Sequence, residues 1–169
     1  MQLSKEQNLV FEKYKDGKNV FMTGPGGTGK THLIKLIVED LKSTGKKYQV
    51  CALTGCAAVL LNCGAKTLHS WSGIGLANNS IRATVDRVLK SRHRRKNWNK
   101  VEVLIVDEVS MLSLKVLIIL DIIVRTIKKK ETTPFGGIQI IFSGDFYQLP
   151  PVGDKDDPKS SQFCFEYDD

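Results

Sequence analysis

The chain has 169 residues, which suits one domain with a single core, and 41% of them are apolar, as is ordinary for a globular protein. It has no run of about 18 apolar residues, and its first residues lack the plan of a signal peptide, so we expect an intracellular protein without a membrane span. Lysine and arginine outnumber aspartate and glutamate by 25 to 18, a net charge of +7 that suits either a polyanionic partner or simple solubility.

The first predicted element is a helix that begins beside Ser4. Residues 4–7 have the form of a capping box, in which Ser4 caps the helix and the side chain of Gln7 reaches back to it. Asp16 and Gly17 indicate the end of this helix. Gln7 is also a candidate to contact the adenine of a nucleotide, and both roles stay open.

A phosphate-binding loop is predicted between a buried strand at residues 20–23 and a helix that begins at Lys30. The segment fits the pattern G-x-x-x-x-G-K-[ST], which is far more specific than an ordinary glycine-rich turn. Lys30 would reach the β- and γ-phosphates of ATP, and the hydroxyl of Thr31 would bind Mg²⁺. The loop residues expected to surround the phosphates are Gly24, Pro25, Gly26, Gly27, Thr28 and Gly29.

Candidate nucleic-acid contacts follow a second predicted strand at residues 49–54 and a helix of small residues. Hydroxyl and imidazole groups bind phosphates and an aromatic ring stacks on a base, which singles out Thr54, Thr67, His69 and Trp71. Composition alone favours the plainer alternative, in which Trp71 belongs to the core and His69 is an ordinary loop histidine.

A basic helix is predicted over residues 81–96. Its apolar residues keep helical spacing, and the other positions hold the densest run of lysine and arginine in the chain. This helix either meets DNA or faces solvent.

Two carboxylates follow the third predicted strand, at residues 101–106. Asp107 would hold Mg²⁺, and Glu108 would orient and deprotonate the water that attacks the γ-phosphate. The alternative is that the pair only caps the following turn. Ser113 then caps an apolar helix with a basic C-terminal end.

The fourth predicted strand, at residues 138–142, leads into Asp145 and Gln148. A glutamine at such a strand end can sense the γ-phosphate, although a lone glutamine is more often a surface residue. Beyond residue 151 the tail is predicted to be a loop. The four cysteines, Cys51, Cys56, Cys63 and Cys164, are interpreted as small thiols, since their spacing with His69 matches no common zinc pattern.

Apolar strands that alternate with helices indicate an α/β fold with a mostly parallel sheet flanked by helices. Ligands bind at the carboxyl ends of such strands. Three of the four predicted strands end in the polar segments described above, so we expect the phosphate loop, the carboxylate pair and Gln148 to meet at one edge.

Together these motifs resemble the Pif-type (petite integration frequency) DNA helicases, RecD-like members of helicase superfamily one. The matching segments are EQ at 6–7, GPGGTGKT at 24–31, LTGCAA at 53–58, TLHSWSGIG at 67–75, VDEVSML at 106–112 and PFGGIQIIFSGDFYQLPPV at 134–152. The last segment is the most specific, and the resemblance spans nearly the whole chain.

The resemblance implies an ATP- and Mg²⁺-dependent motor with a RecA-like fold that moves 5′ to 3′ on single-stranded DNA and unwinds forks. It implies that Lys30, Asp107, Glu108 and Gln148 are catalytic, with Gln7 on the adenine. Residues 54–58 and 67–71 would contact the single strand, which adds Gly55 and Ala57 to the candidates and restores Trp71 as a stacking residue. The expected setting is the nucleus or mitochondrion of a eukaryote, or else the cytoplasm.

The chain departs from the family pattern at its end, because such helicases need a second RecA-like domain that supplies an arginine finger. We therefore interpret residues 1–152 as the first RecA-like domain and 153–169 as a loop or the start of a continuation. ATP binding, weak hydrolysis and no processive unwinding are expected of this chain, as a monomer. The alternatives are a phosphate-loop kinase or ATPase that does not act on DNA, and a non-catalytic nucleic-acid-binding relic.

Overall fold

A computed structural model describes residues 3–166 of the protein. Residues 1–2 of the expected domain and residues 167–169 of the expected tail lie outside the described residues. One sheet of five strands runs through the centre. The strands are β1 (Val20–Thr23), β2 (Tyr48–Ala52), β3 (Lys66–Thr67), β4 (Val103–Asp107) and β5 (Gln139–Gly144).

Eight α-helices connect and flank these strands within residues 3–166. They are α1 (Lys5–Lys15), α2 (Lys30–Thr44), α3 (Gly55–Leu61), α4 (Leu68–Ser72), α5 (Ile81–Lys90), α6 (Arg92–Lys100), α7 (Leu114–Lys128) and α8 (Pro158–Ser161). Short 3-10 turns cover Val109–Met111 and Pro134–Gly137. In the part of the chain that the structure describes, no helix is long and apolar enough to cross a membrane.

The strand order is β1-β5-β4-β2-β3, and every neighbouring pair is parallel. The expected parallel α/β sheet is therefore confirmed. Because all strands point the same way, the segments that follow β1, β2, β4 and β5 emerge at one edge of the sheet.

Alternate residues of the strands pack on opposite faces, and this alternation builds two cores. Val103 and Ile105 of β4 pack with α1, α2 and α3 on one face. Leu104 and Val106 pack with α4, α5, α6 and α7 on the other. A sheet buried on both faces explains why its central strands are continuous apolar runs.

The predicted helix ends agree well with the structure. Ser4 and Gln7 form the predicted capping box, and Asp16 caps the C-terminus of α1. Ser113 caps α7, as its position predicted.

Three sequence-based expectations about the elements were wrong. The basic helix is two helices, since Ser91 ends α5 and its hydroxyl caps α6 by accepting from the Arg94 amide. A fifth strand, β3, was missed, because two residues carry no periodic signal. The tail is not simply a loop: it holds α8, and Phe163 bridges to Ser113.

The first strand has the predicted bounds, and the ends of the other three predicted strands shift by one or two residues. The second strand ends at Ala52 and not at residue 54, because Thr54 already serves as the cap of α3.

Candidate functional site

The glycine-rich loop joins β1 to α2, as the sequence predicted. Its turn is held by Thr28, whose hydroxyl donates to the Pro25 carbonyl at 2.9 Å. Gly29 has a φ of 85°, and a Cβ at this position would lie 2.5 Å from the Nε2 atom of Gln7. Only glycine combines this left-handed backbone with such close packing.

Gln7 ties helix α1 to this loop. Its Oε1 atom accepts from the Ser4 amide at 3.0 Å, and its Nε2 atom donates to the Thr28 carbonyl at 3.0 Å. The glutamine thus closes the capping box and braces the loop with one side chain.

Lys30 is half-buried, and its ammonium group lies over the loop. The Nζ atom donates to the carbonyls of Gly24 at 2.6 Å and Pro25 at 2.9 Å. An ammonium held over the loop is a charged donor that suits a phosphate ligand.

A cavity of about 360 Å³ brings most of the predicted nucleotide residues together, whereas Gln7, Gly24, Pro25 and Thr28 do not line it. The phosphate loop contributes one wall, and the segments after β4 and β5 contribute the other. The lining residues are Gly26, Gly27, Gly29, Lys30, Thr31, Asp107, Glu108, Gly144, Asp145 and Gln148. Residues from three separate motifs therefore share one cavity at the carboxyl edge of the sheet.

Glu108 has an unusual backbone for a residue with a side chain, with φ 60° and ψ 37°. Its carboxylate Oε2 accepts a hydrogen bond from the hydroxyl of Thr54 at 2.9 Å. Sequence reasoning missed this link, because no spacing rule connects the ends of β2 and β4.

Asp145 shapes the turn that carries Gln148. It is 7% exposed. Its Oδ1 atom accepts from the Tyr147 amide, and its carbonyl accepts from the Gln148 amide, both at 3.0 Å. The Gln148 side chain lies at the exposed rim of the cavity.

No group of three or more histidine, cysteine, aspartate or glutamate side chains within residues 3–166 is placed to hold a metal ion. Cys51 and Cys164 are buried, and burial raises the pKa of Cys164 to about 11, whereas Cys56 is exposed.

The candidate nucleic-acid contacts divide into accessible and inaccessible residues. Thr54, Thr67 and His69 are half-buried, and Gly55 is exposed. His69 lines a larger cavity of about 670 Å³ beside the cap of α7, and burial lowers the pKa of its imidazole. The backbone amide of Ala57 already donates to the Thr54 hydroxyl at 3.2 Å.

The expected stacking role of Trp71 does not fit the structure. Its side chain is 5% exposed and packs on Trp98, with ring centroids 4.6 Å apart. The ring is part of the core, which is the alternative that composition favoured.

Part of the basic segment stabilises the fold. Arg94 donates to the Gly73 carbonyl at 3.2 Å, and Arg87 donates to the Ile74 carbonyl. These arginines hold the chain that follows α4. The exposed lysines and arginines of α5 and α6 are Arg82, Lys90, Arg92, Lys96 and Lys100.

Sequence reasoning also missed an ion pair between α7 and the tail. The Nζ atom of Lys115 lies 2.7 Å from Oδ2 of Asp157, with side-chain exposures of 6% and 36%. The Leu114 amide donates to the Gln162 carbonyl nearby, so the tail is fastened beside the turn that follows Glu108.

Comparison with known proteins gives consistent matches along the whole chain. The chain is 40% identical over 164 residues to the ATP-dependent DNA helicase PIF1 of Saccharomyces cerevisiae, which covers 97% of this chain and 19% of that protein. It is 41% identical over 168 residues to the helicase RRM3 of the same species, with coverages of 98% and 22%. The chain therefore spans about a fifth of the length of these relatives.

The fold also matches a solved helicase structure. The Pif1 helicase of Candida albicans superposes with a TM-score of 0.84 at 36% identity, covering 98% of this chain and 36% of that one. This match confirms the expected RecA-like fold. The family model described as PIF1-like helicase matches residues 2–167. On these grounds the chain belongs to the PIF1-like helicase family.

Proposed function

We propose that this chain is the ATP-binding motor part of a DNA helicase that couples ATP hydrolysis to movement on single-stranded DNA. The observation that carries the proposal is the cavity of about 360 Å³, where the phosphate loop faces Asp107, Glu108 and Gln148. The named relatives are ATP-dependent DNA helicases, which supports the same activity here.

In this proposal the loop amides and Lys30 bind the triphosphate. Lys30 would exchange the carbonyls of Gly24 and Pro25 for charged phosphate oxygens, which are stronger acceptors. The adenine would lie towards Gln7, whose amide group braces the loop.

Magnesium fits the donor set of the cavity. Thr31 and Asp107 both line it, and Mg²⁺ typically takes few protein ligands because phosphates and water complete its coordination. The ion would neutralise charge that develops on the phosphates.

Glu108 would orient and deprotonate the attacking water, while Gln148 would respond to the γ-phosphate. Thr54, Gly55, Thr67 and His69 are the candidates to contact the single strand at the same edge of the sheet. Trp71 is omitted because it is buried, and Ala57 because its amide is already bonded.

We also propose that residues 1–152 form the first of two RecA-like domains, working as a monomer on single-stranded and forked DNA. A second domain would supply the arginine finger. Such an enzyme acts where the DNA is, in the nucleus or mitochondrion of a eukaryote and otherwise in the cytoplasm.

The test is ATP hydrolysis by the full-length gene product, with and without oligo-dT. We expect stimulation by the oligonucleotide, loss of nucleotide binding in Lys30→Ala, and loss of hydrolysis with retained binding in Glu108→Gln. ATP turnover that is unaffected by DNA and transfers the γ-phosphoryl group to a small molecule would favour a phosphate-loop kinase.

A further inference from the structure

We infer that Thr54 is a positioning residue that restrains Glu108 until nucleic acid binds. The inference rests on the proposed function, because it assigns a regulatory role to the same ATP site. Its basis is the hydrogen bond between Thr54, a candidate DNA contact, and Glu108, the candidate hydrolytic carboxylate.

The bond crosses two neighbouring strand ends. Ala52, the last residue of β2, pairs with Asp107 at the end of β4. Thr54 and Glu108 each follow closely, and their side chains meet at 2.9 Å between Oγ1 and Oε2. The sheet register therefore fixes this contact, and both residues are half-buried.

The Thr54 hydroxyl works in two directions. It accepts from the Ala57 amide at 3.2 Å and so caps α3, and it donates its single hydrogen to Glu108. Because a hydroxyl has only one hydrogen, another acceptor that takes it must release the carboxylate.

The backbone of Glu108 is held in place by its surroundings, so only its side chain can change orientation. The left-handed conformation of Glu108 is unfavourable for a residue with a Cβ, so surrounding contacts must hold it. One such contact is the close packing of Val109 on Gly144. With the backbone held, the donor on Thr54 decides where the carboxylate points.

A bound single strand offers the competing acceptor. Phosphate oxygens accept hydrogen bonds from threonine hydroxyls, and Thr54 begins one of the two segments proposed to meet the strand. Engagement of Thr54 by a phosphate would free Glu108 to act on water in the nucleotide cavity, which Glu108 lines and Thr54 does not. DNA binding would then raise hydrolysis without changing ATP affinity.

Three variants of the full-length gene product separate the two roles of Thr54. Thr54→Ser keeps the cap and the donor, Thr54→Asp keeps the cap but cannot donate, and Thr54→Val loses both. Steady-state ATP hydrolysis is measured with and without oligo-dT, and thermal unfolding checks that each variant folds.

We expect Thr54→Val and Thr54→Asp to raise the DNA-free kcat about fivefold, the scale of one hydrogen bond, with KM for ATP unchanged. Stimulation by oligo-dT should fall accordingly, and Thr54→Ser should behave as wild type. If Thr54→Val unfolds, Thr54→Asp decides the outcome.

A DNA-free kcat at or below the wild-type value in both variants would overturn the restraint. A wild-type protein whose ATP hydrolysis is unaffected by oligo-dT would overturn the proposed function, and the restraint with it. Failure of the wild-type protein to bind or hydrolyse ATP would overturn the proposed function in the same way.

Discussion

Gly144 stands where β5 meets the turn that carries Glu108. A Cβ at this position would lie 2.9 Å from Cγ2 of Val109 and 3.1 Å from its backbone nitrogen. Real Cβ atoms rarely come so close, and backbone cannot move aside as cheaply as the end of a side chain. The ends of β4 and β5 can approach this closely only because Gly144 has no side chain, and this approach sets the width of the nucleotide cavity.

We expect Gly144→Ala to lower the free energy of unfolding by about 1–3 kcal/mol, as overpacking a tight site does. Chemical denaturation measures this change. Gly55→Ala is the matched control, because a Cβ there meets nothing within 4 Å. Equal stability of the two variants would contradict the packing argument.

Asp40 contributes stability that depends on pH. Lys15, at 2.8 Å, and the Tyr14 hydroxyl, at 2.6 Å, lower the pKa of Asp40 below its ordinary value. Since the folded state favours the charged form, this contribution is present above the unfolded pKa, about 3.9, and is lost as the pH falls through the folded value.

Asp40→Asn should therefore be less stable than wild type at pH 7, and the difference should shrink as the pH falls below about 4. Urea unfolding at several pH values measures it. A difference that persists at pH 2 would mean that packing, and not charge, causes the effect. Tyr14→Phe tests the hydroxyl alone.

At the scale of elements, helix caps explain why the helices begin where they do. Ser4, Ser80, Ser91 and Ser113 all stand at helix starts and accept a backbone amide. The sequence predicted the caps at Ser4 and Ser113, where a turn precedes an apolar helix. It missed Ser91 because helical spacing continues on both sides.

Removal of the exposed cap at Ser80 should lower the free energy of unfolding measurably. Ser80 accepts from the Ala83 amide at 3.2 Å. We expect Ser80→Ala to lower the free energy of unfolding by about 1 kcal/mol, while Ser80→Asp, which caps equally well, stays near wild type. Thermal unfolding distinguishes them, and the cap would be unimportant if both variants melted together.

Motifs with fixed spacing could be predicted because local chain geometry encodes their chemistry. Lys30, Asp107 and Gln148 share one cavity, as their strand-end positions predicted. Contacts such as Thr54 with Glu108, or Arg94 with Gly73, join residues on different elements. They depend on strand order and register, which a single sequence does not reveal.

At the scale of the whole molecule, the tail is fastened across the sheet edge by few contacts. The Lys115–Asp157 ion pair is one of these, and the Lys115 side chain is almost fully buried. A buried charge that loses its partner lowers the stability of the folded state strongly, whereas removal of both charges lowers it much less.

Asp157→Ala should lower the free energy of unfolding by about 1–3 kcal/mol. This loss is smaller than that from breaking a fully buried pair, because Asp157 is 36% exposed. The double variant Lys115→Met with Asp157→Ala should recover part of this loss. A double-mutant cycle from chemical denaturation measures the coupling. Strictly additive losses would show that the pair does not hold the tail.

The pairing of β1 with β5 has a consequence for synthesis on the ribosome. Val20 leaves the ribosome early, but its partner Ile141 leaves late, after the rest of the sheet has been made. Pairing between distant segments cannot begin until both exist, so the phosphate loop gains its supporting neighbour only near the end. A nascent chain arrested before residue 139 should therefore lack nucleotide binding and depend on chaperones for protection of its exposed apolar strands.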